Sequence, residues 1–465
     1  MDSMLEWSRA AWRRHLPNVP DIRRLVSELG DGTIHGLAHA TAIAVPDKLA
    51  VRIGDESITH GELDDLASRF AASLGIKDGD RVLLAAPVSL NWLGAYLGVL
   101  RAGGVAVLAN PAYTQAELDG IVQAAAPAMV LREIVKPDAE ARPWHEGAAP
   151  DSVALLAFTS GTTGKPKGVP LTHRNLLTSI RAAMAAWRWK RYDHLVHALP
   201  LFHQHGLGGL HATLIAGSSL HLLPRFDSAE LTGAVEKATV LFAVPTMYQR
   251  LKGTSRNRLR LCVSGSAPLS RAVAAHAEAV LGRTPLVRYG TTESGLDTSQ
   301  VISDPPADTV GIPLPGVELR LDEDGEIQLR GPQVAAAFLD DDGWFRTGDL
   351  GRLDDATGHL VIDRRIKEMI ITGGMKVSPR EVEVALESHP AVAEAAVAGV
   401  ASERWGEQVT AWVVMKPGAS FDVDALLEHS ATLLAPYKRP KEIKRLEALP
   451  RNHVGKIDRR LLRES

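Results

Sequence analysis

The segment FTSGTTGKPKGVPL, residues 158–171, gives the first indication of the fold and of a function. It combines three glycines, several hydroxyl side chains and the charges of Lys165 and Lys167, a combination that favours an anion-binding loop. A P-loop of the pattern G-x-x-x-x-G-K-[ST] is disfavoured, because Pro166 follows the first lysine and the glycine spacing is too short. The apolar run before the loop and the extended run after it predict a hairpin, with a helix beginning only near Asn175.

Outside this segment, short apolar runs alternate with helical segments along most of the chain. Capping-box patterns at Thr59 to Glu62 and at Thr114 to Glu117 predict two helix starts. Runs such as RVLLAA, VAVLAN, VHALPL, HATLIAGSSLHLLP and ATVLFAVP predict mostly parallel strands covered by helices. We therefore expect an α/β fold with ligands beyond the carboxyl ends of the strands.

The pattern changes towards the C-terminus. The segments EIQLRG and HLVIDR predict a small antiparallel sheet, and a compact unit of about 100 residues follows from about residue 366. The charged stretch DRRIKE, residues 363–368, fits an exposed hinge. The sequence thus predicts a large N-terminal domain, residues 1–364, and a small, mobile α+β C-terminal domain, residues 365–465.

Composition restricts the class of protein. The chain has 465 residues, 45% of them hydrophobic and 23% charged, and a formal net charge of −3, so nothing favours binding to nucleic acid or to an anionic membrane. The single cysteine, Cys262, excludes an internal disulfide and is expected to be a buried structural thiol. The first 17 residues predict a docked amphipathic helix, with a membrane-surface helix as the alternative, and we expect a cytoplasmic protein.

Three further motifs carry polar residues suited to a nucleotide. In YGTTESG, Tyr289 offers a flat surface to a base, Thr292 a phosphate donor, and Glu293 a ligand for Mg²⁺. In GWFRTGDLG, Asp349 can accept both hydroxyls of a ribose. In PRNHVGKIDRR, Lys456 lies on a loop. Each motif has an ordinary interpretation in isolation, namely a polar turn, an aspartate in a turn or a solvated lysine.

In combination, these motifs identify a family. Together with LPLFHQHGL, VSGSAPLS and DRRIKEMIITGGMKVSPREVE, they resemble the adenylate-forming (ANL) superfamily and its acyl-CoA synthetase branch, over nearly the whole chain. The resemblance implies an acid–CoA ligase. Such an enzyme joins a carboxylic acid to ATP, releases pyrophosphate and transfers the acyl group to CoA, with Mg²⁺ bound to the phosphates.

The resemblance also implies residue roles. The 159–167 loop would hold the β- and γ-phosphates, Tyr289 and the 265–267 turn would flank adenine, and Asp349 and Arg365 would hold the ribose. The residues assigned to ATP are Thr159, Ser160, Gly161, Thr162, Thr163, Gly164, Lys167, Gly265, Ser266, Ala267, Tyr289, Gly290, Thr291, Asp349 and Arg365. The residues assigned to catalysis are Lys456, Thr292 and Glu293, the last of which would bind Mg²⁺.

A rotation of the small domain after adenylation is a further implication of the resemblance. Lys367 matches the hinge position, and Gly373 and Gly374 match the turn beside the CoA channel, where absent side chains admit a thin thiol arm. Arg364 departs from the glycine commonest at its position, and we assign it no effect.

The identity of the acid is less constrained. The motifs most resemble malonyl-CoA synthetase-like members, in which Arg288 would pair with a second carboxylate and His203, with His205, would line the pocket. A structural ion pair is the alternative for Arg288. Thr291, Ser294 and Gly295 depart from the run expected of malonate enzymes and leave a larger, specialised acid open. Three competing functions are loading of a separate carrier protein, AMP binding without catalysis, and a luciferase-like oxygenation.

Overall fold

The computed structural model describes residues 2–138, 140, 148–160, 166–253, 257–303, 308–365, 370–372, 375–402, 405–434, 436–452 and 456–464. The chain forms two compact units. The first unit contains Met1–Arg320 and Gln328–Arg346, and the second contains Leu321–Ile327 and Thr347–Ser465.

The helices and strands have the following bounds. The helices are α1 (Asp2–His15), α2 (Ile22–Glu28), α3 (Ile34–Ala44), α4 (His60–Ser73), α5 (Leu90–Arg101), α6 (Gln115–Ala125), α7 (His173–Ala186), α8 (Gln204–Ala216), α9 (Ser228–Val235), α10 (Pro245–Arg250), α11 (Arg271–Leu281), α12 (Pro379–Glu387), α13 (Val423–Leu433) and α14 (Arg459–Glu464). The strands are β1 (Leu49–Ile53), β2 (Glu56–Thr59), β3 (Arg81–Leu84), β4 (Val105–Leu108), β5 (Met129–Leu131), β6 (Val153–Ser160), β7 (Pro166–Thr172), β8 (His194–His197), β9 (Ser219–Leu222), β10 (Val240–Ala243), β11 (Leu261–Ser264), β12 (Leu286–Tyr289), β13 (Thr298–Ser299), β14 (Ile312–Pro313), β15 (Glu318–Leu321), β16 (Glu326–Arg330), β17 (Phe345–Leu353), β18 (Leu360–Arg365), β19 (Ile370–Thr372), β20 (Met375–Val377), β21 (Val392–Ser402), β22 (Gly406–Met415) and β23 (Glu442–Arg445).

Two sheets form the framework of the first unit. One has nine strands in the order β14-β13-β12-β11-β10-β8-β9-β1-β2, and the other has five in the order β5-β3-β4-β6-β7. Their central pairs, such as β10 with β11 and β3 with β4, are parallel, and antiparallel pairs lie at the edges. Strands such as β4 and β10 are buried along their whole length, as continuous apolar runs require. The predicted α/β fold with mostly parallel sheets is confirmed.

The predicted helix starts are also found. At Thr59 and at Thr114 the hydroxyl accepts a hydrogen bond from the backbone N–H of the glutamate three residues on. The carboxylate of that glutamate in turn accepts from the backbone N–H of the threonine. A third box, which the sequence analysis did not identify, joins Thr172 and Asn175, and α7 begins at His173. Each box satisfies two backbone donors that would otherwise lack partners, which fixes the helix start.

The N-terminal helix α1 is docked on the first unit, as expected. Ser8 Oγ donates to the carbonyl of Leu319 at 3.0 Å, and Trp12 Nε1 donates to the carbonyl of Val317 at 3.3 Å. Cys262 is buried and free, and burial raises the pKa of its thiol to about 12, so this thiol stays protonated. Within the described ranges no helix combines the length and the apolar character that crossing a bilayer requires.

The second unit has its own core. Strands β19 to β22 lie in the order β20-β19-β22-β21, and β23 pairs with β22. Helices α12 and α13 pack together, and α12 packs against β21. A four-stranded sheet, in the order β15-β16-β17-β18, contains the positions at which the chain passes from one unit to the other.

Candidate active site

The hairpin predicted from the opening segment is present. Strands β6 and β7 are antiparallel, with Thr159 opposite Lys167 and Ser160 opposite Pro166. The Lys167 ammonium lies 4.7 Å from the centre of the Phe338 ring. The tip itself, with Gly161, Thr162, Thr163 and Gly164, lies outside the described residues. The binding of phosphate by this loop therefore stays a prediction.

The predicted adenine turn, residues 265–267, follows β11. Its middle residue, Ser266, is exposed and has φ +69°, in the left-handed region that non-glycine residues rarely adopt. Gly265 is buried against the neighbouring strand, and a Cβ at this position would lie 2.8 Å from Cζ of Arg288. The turn therefore lies directly beside Arg288.

The turn after β12, residues 290–296, is held by hydrogen bonds on several sides. The Gly295 N–H donates to the carbonyl of Thr291 at 2.8 Å, and the Leu296 N–H donates to Ser179 Oγ at 2.8 Å. Gln204 Nε2, at the start of α8, donates to the carbonyl of Thr292 at 2.6 Å. These bonds fix the backbone that carries the predicted catalytic residues.

Glu293 lies in the middle of this turn. Its backbone carbonyl accepts from the Ala335 N–H at 2.8 Å, whereas its half-buried carboxylate makes no hydrogen bond or ion pair with another described residue. Three or more metal-binding side chains do not meet anywhere in the described part of the chain. One unpaired carboxylate fits Mg²⁺ bound mainly by phosphate and water oxygens, because such ions need only one or two protein ligands.

Arg288, near the end of β12, is buried with 7% of its surface exposed. No hydrogen bond or ion pair joins its guanidinium to another described residue, and its Nε is both buried and unpaired. Burial lowers the pKa of Arg288 to about 10, so it stays charged at neutral pH. No ion pair within bonding distance joins Arg288 to a described residue, but the charge of the nearby Asp297 opposes the lowering of its pKa. A buried charge is costly without a hydrogen-bonded counterion, which suits a site for an anion.

Arg288 lines a cavity of about 30 Å³ between α7, α8 and the 290–296 turn. The other lining residues are Leu176, Ser179, Ile180, Gln204, Leu207, Gly208, His211, Gly295 and Leu296. His203 and His205, which were expected here, are not among these lining residues. His205 is nevertheless buried near Arg288, and its burial, together with the charge of Arg288, lowers the pKa of its imidazole.

Asp297 is a buried carboxyl near Arg288 that none of the sequence motifs indicated. Burial raises its pKa to about 7, although Ser294 Oγ donates to it at 2.5 Å and Gln333 Nε2 at 3.3 Å. The folded protein therefore binds this proton more tightly than the unfolded chain, whose aspartate has a pKa of about 3.9. The contribution of Asp297 to stability is present at low pH and is lost as the pH rises through about 7.

We predict that Asp297→Asn gains stability relative to the parent protein as the pH rises from 4 to 8. The expected gain is at least about 1 kcal/mol, the equivalent of one pKa unit, because asparagine holds a neutral side chain at every pH. Urea unfolding of both proteins at several pH values measures the difference. The same difference at pH 4 and pH 8 would contradict the raised pKa.

In the second unit, the structure places Asp349 in β17 directly opposite Arg365 in β18. Asp349 is buried, and its N–H donates to Thr347 Oγ1 at 3.1 Å. Lys456 has an exposed side chain. Its backbone is fixed by Asn452, which accepts from the Lys456 N–H at 3.0 Å and donates to its carbonyl at 2.8 Å. The hinge and CoA-channel residues Lys367, Gly373 and Gly374 lie outside the described residues.

Comparisons with known proteins cover nearly the whole chain. Residues 39–339 match the AMP-binding enzyme family, and residues 381–456 match the AMP-binding enzyme C-terminal domain. The chain is 30% identical to the mitochondrial malonate–CoA ligase ACSF3 of Mus musculus, over 98% of the chain and 95% of the relative. It is 33% identical to the 3-[(3aS,4S,7aS)-7a-methyl-1,5-dioxo-octahydro-1H-inden-4-yl]propanoyl:CoA ligase of Mycobacterium tuberculosis, over 90% of the chain and 96% of the relative. The crystal structure of ATP-bound MatB from Rhodopseudomonas palustris superposes with a TM-score of 0.86 at 34% identity, over 93% of this chain and 99% of that one.

Proposed function

The chain belongs to the AMP-binding enzyme family as an AMP-forming acid–CoA ligase that uses ATP and CoA, and we propose that its acid is a small dicarboxylate of the malonate type. The observation that carries this proposal is the buried guanidinium of Arg288, which lines a cavity and makes no hydrogen bond or ion pair with a described carboxylate, although the charge of the nearby Asp297 acts on it. A second carboxylate on the acid would supply the missing ion pair. Arginine suits this role because its planar fork matches a carboxylate with two parallel hydrogen bonds.

The size of the cavity supports a small acid. Its volume of about 30 Å³ is far below the roughly 300–1,000 Å³ of pockets for drug-sized ligands. The mouse relative is a malonate–CoA ligase, whereas the M. tuberculosis relative acts on a two-ring acid. Of these two acids, the dicarboxylate is the smaller, and it has a second carboxylate that could pair with Arg288 in so small a cavity.

The chemical difficulty in the first step is that the acid and the α-phosphate of ATP are both anionic. We propose that Lys456 neutralises both partners and that Thr292 and the 159–167 loop position the phosphates. Glu293 would hold Mg²⁺, which supplies charge neutralisation at the phosphates. Asp349 and Arg365 would hold the ribose, and Tyr289 with the 265–267 turn would flank adenine.

Three further parts of the proposal concern the rest of the cycle. Residues 365–465 would turn about a hinge at Lys367 after adenylation, and Gly373 with Gly374 would admit the thiol arm of CoA. A separate carrier protein is the alternative acceptor. A cytoplasmic location stays a prediction, since the mouse relative is mitochondrial.

We predict that Arg288→Met lowers kcat/KM for malonate by roughly 10- to 100-fold, because a hydrogen bond to a charged group contributes about that factor. Activity with propionate, which has no second carboxylate, should change little. Methionine also removes a buried unpaired charge, so the variant should be at least as stable as the parent protein without substrate. Pyrophosphate release over a panel of acids, with and without CoA, together with thermal unfolding, measures both effects.

Arg288→Lys is the matched control. It keeps a positive charge but loses the fork, so we expect malonate activity between that of the parent protein and that of Arg288→Met. A parent enzyme that uses propionate or a bulky ring acid as well as malonate would contradict the dicarboxylate assignment. Acid activation without acyl-CoA formation would indicate a carrier protein.

A further inference from the structure

A second polar side chain lines the same cavity as Arg288. His211 lies on α8, on the face that also carries Gln204, Leu207 and Gly208. With His211, these residues are spaced at i, i+3, i+4 and i+7. Gly208 has no side chain that could cover His211 from the preceding turn. The imidazole therefore reaches the cavity, although none of the predicted roles involves it.

The side chain of His211 contacts that of Tyr96. The two side chains are joined by a hydrogen bond of 2.8 Å between the Tyr96 hydroxyl and His211 Nε2, and their rings are stacked at 5.9 Å. Trp92 also stacks on Tyr96, with its ring centre 5.6 Å from that of the tyrosine. Tyr96 is fully buried, so its position is fixed by packing.

This contact determines which nitrogen of His211 carries the proton. The Tyr96 hydroxyl has no other hydrogen-bond partner among the described residues, so His211 Nε2 is the one acceptor available to its proton there. The reverse arrangement would leave a buried hydroxyl proton unpaired, which costs free energy. Nε2 is then the acceptor, and the proton of the neutral ring lies on Nδ1. Burial lowers the pKa of His211 to about 3, which keeps the ring neutral.

Nδ1 has no hydrogen-bond partner among the described residues. It is therefore a fixed, neutral donor that is available to a ligand. The cavity of about 30 Å³ has room for roughly two water molecules, which is close to the two oxygens of one carboxylate. A carboxylate paired with Arg288 in so small a space comes within reach of His211.

We propose that His211, held by Tyr96 with its proton on Nδ1, donates a hydrogen bond to the second carboxylate of the acid beside Arg288. His211 is then a specificity-determining residue, and Tyr96 is a positioning residue that acts through it. This inference rests on the dicarboxylate assignment and extends it from one charged contact to a charged and a neutral one.

Two substitutions separate the donor role from a packing role. In His211→Asn the amide nitrogen can occupy the position of Nδ1, whereas in His211→Gln the amide reaches the position of Nε2 and nothing remains at Nδ1. We expect the ratio of kcat/KM for malonate to that for propionate to fall by roughly 10- to 100-fold in His211→Gln, since a bond to a charged group is lost. In His211→Asn the ratio should stay within about fivefold of the parent value, a change no larger than the contribution of one neutral hydrogen bond.

The tautomer gives an independent measurement. We expect ¹⁵N NMR of the parent protein, with His211 assigned by its loss in His211→Asn, to show the proton on Nδ1 before and after malonate binds. A proton on Nε2 would overturn the inference, because Nδ1 would then have nothing to donate.

The kinetic outcomes also separate the two proposals. A parent-like malonate preference in His211→Gln, with the preference lost in Arg288→Met, would overturn the role of His211 and leave the dicarboxylate assignment standing. Equal losses for malonate and propionate in both His211 variants would show a packing role and overturn the inference. No malonate preference in the parent enzyme would overturn the proposed function and this inference with it.

Discussion

Replacement of Lys456 by alanine should slow adenylation by roughly 10²–10³-fold, the cost of removing one preorganised charge that stabilises a transition state. The backbone of Lys456 is bonded to Asn452 through both its N–H and its carbonyl. Its side chain is exposed in the second unit. An exposed lysine side chain on a backbone bonded to Asn452 suits a group that approaches two anions, the role proposed for it.

The two half-reactions distinguish this role from a general loss of function. ATP–pyrophosphate exchange driven by the acid should fall by the full factor, whereas thioester formation from synthetic acyl-adenylate and CoA should stay within a few fold of the parent rate. Lys441→Ala, another exposed lysine of the second unit, is the control and should leave both steps unchanged. Normal exchange in Lys456→Ala would remove this residue from the chemistry.

The parts of the fold that the sequence predicted are those set by local interactions. The capping boxes at Thr59 and Thr114 are each completed within four residues, and the hairpin of β6 and β7 pairs neighbouring segments. Continuous apolar runs predicted buried parallel strands because both faces of such strands are covered. These signals need no knowledge of distant parts of the chain.

The run HATLIAGSSLHLLP shows where local signals failed. The run predicts a strand, but residues 211–216 end α8, and β9 begins only at Ser219. An apolar run cannot distinguish a buried helix from a buried strand, and Gly206, Gly208 and Gly209 obscured the helix that precedes it. The position of His211 on a helix face was missed for the same reason.

The candidate acid site needed the tertiary structure. The sequence left Arg288 with two interpretations of nearly equal weight, because a counterion for it could come from any neighbouring loop. The structure brings it to a cavity without a paired carboxylate among the described residues. The raised pKa of Asp297 and the contact between Tyr96 and His211, 115 residues apart, are likewise products of burial and packing.

We expect Gly290→Ala to lower adenylation by more than about 10²-fold, because displacement of a catalytic group by about 1 Å has this effect. Gly290 opens the turn that carries Thr291, Thr292 and Glu293. A Cβ at Gly290 would overlap the carbonyl oxygen of Gly295 and lie 2.8 Å from its carbonyl carbon. These are backbone atoms, so relief requires the turn to move.

Movement of the turn would strain the bonds that hold it, including those from Gly295 N–H to Thr291 and from Leu296 N–H to Ser179. We expect a loss of about 1–3 kcal/mol in the free energy of unfolding, typical of overpacking, which is too small to unfold most domains. Gly233→Ala is the matched control, because this helical glycine has open space around the position of a new Cβ. ATP–pyrophosphate exchange and urea unfolding should both change in Gly290→Ala and stay near parent values in the control. A folded Gly290→Ala protein with parent-like exchange would show that the 290–296 turn tolerates displacement, and Glu293 and Thr292 would then lose their assigned roles.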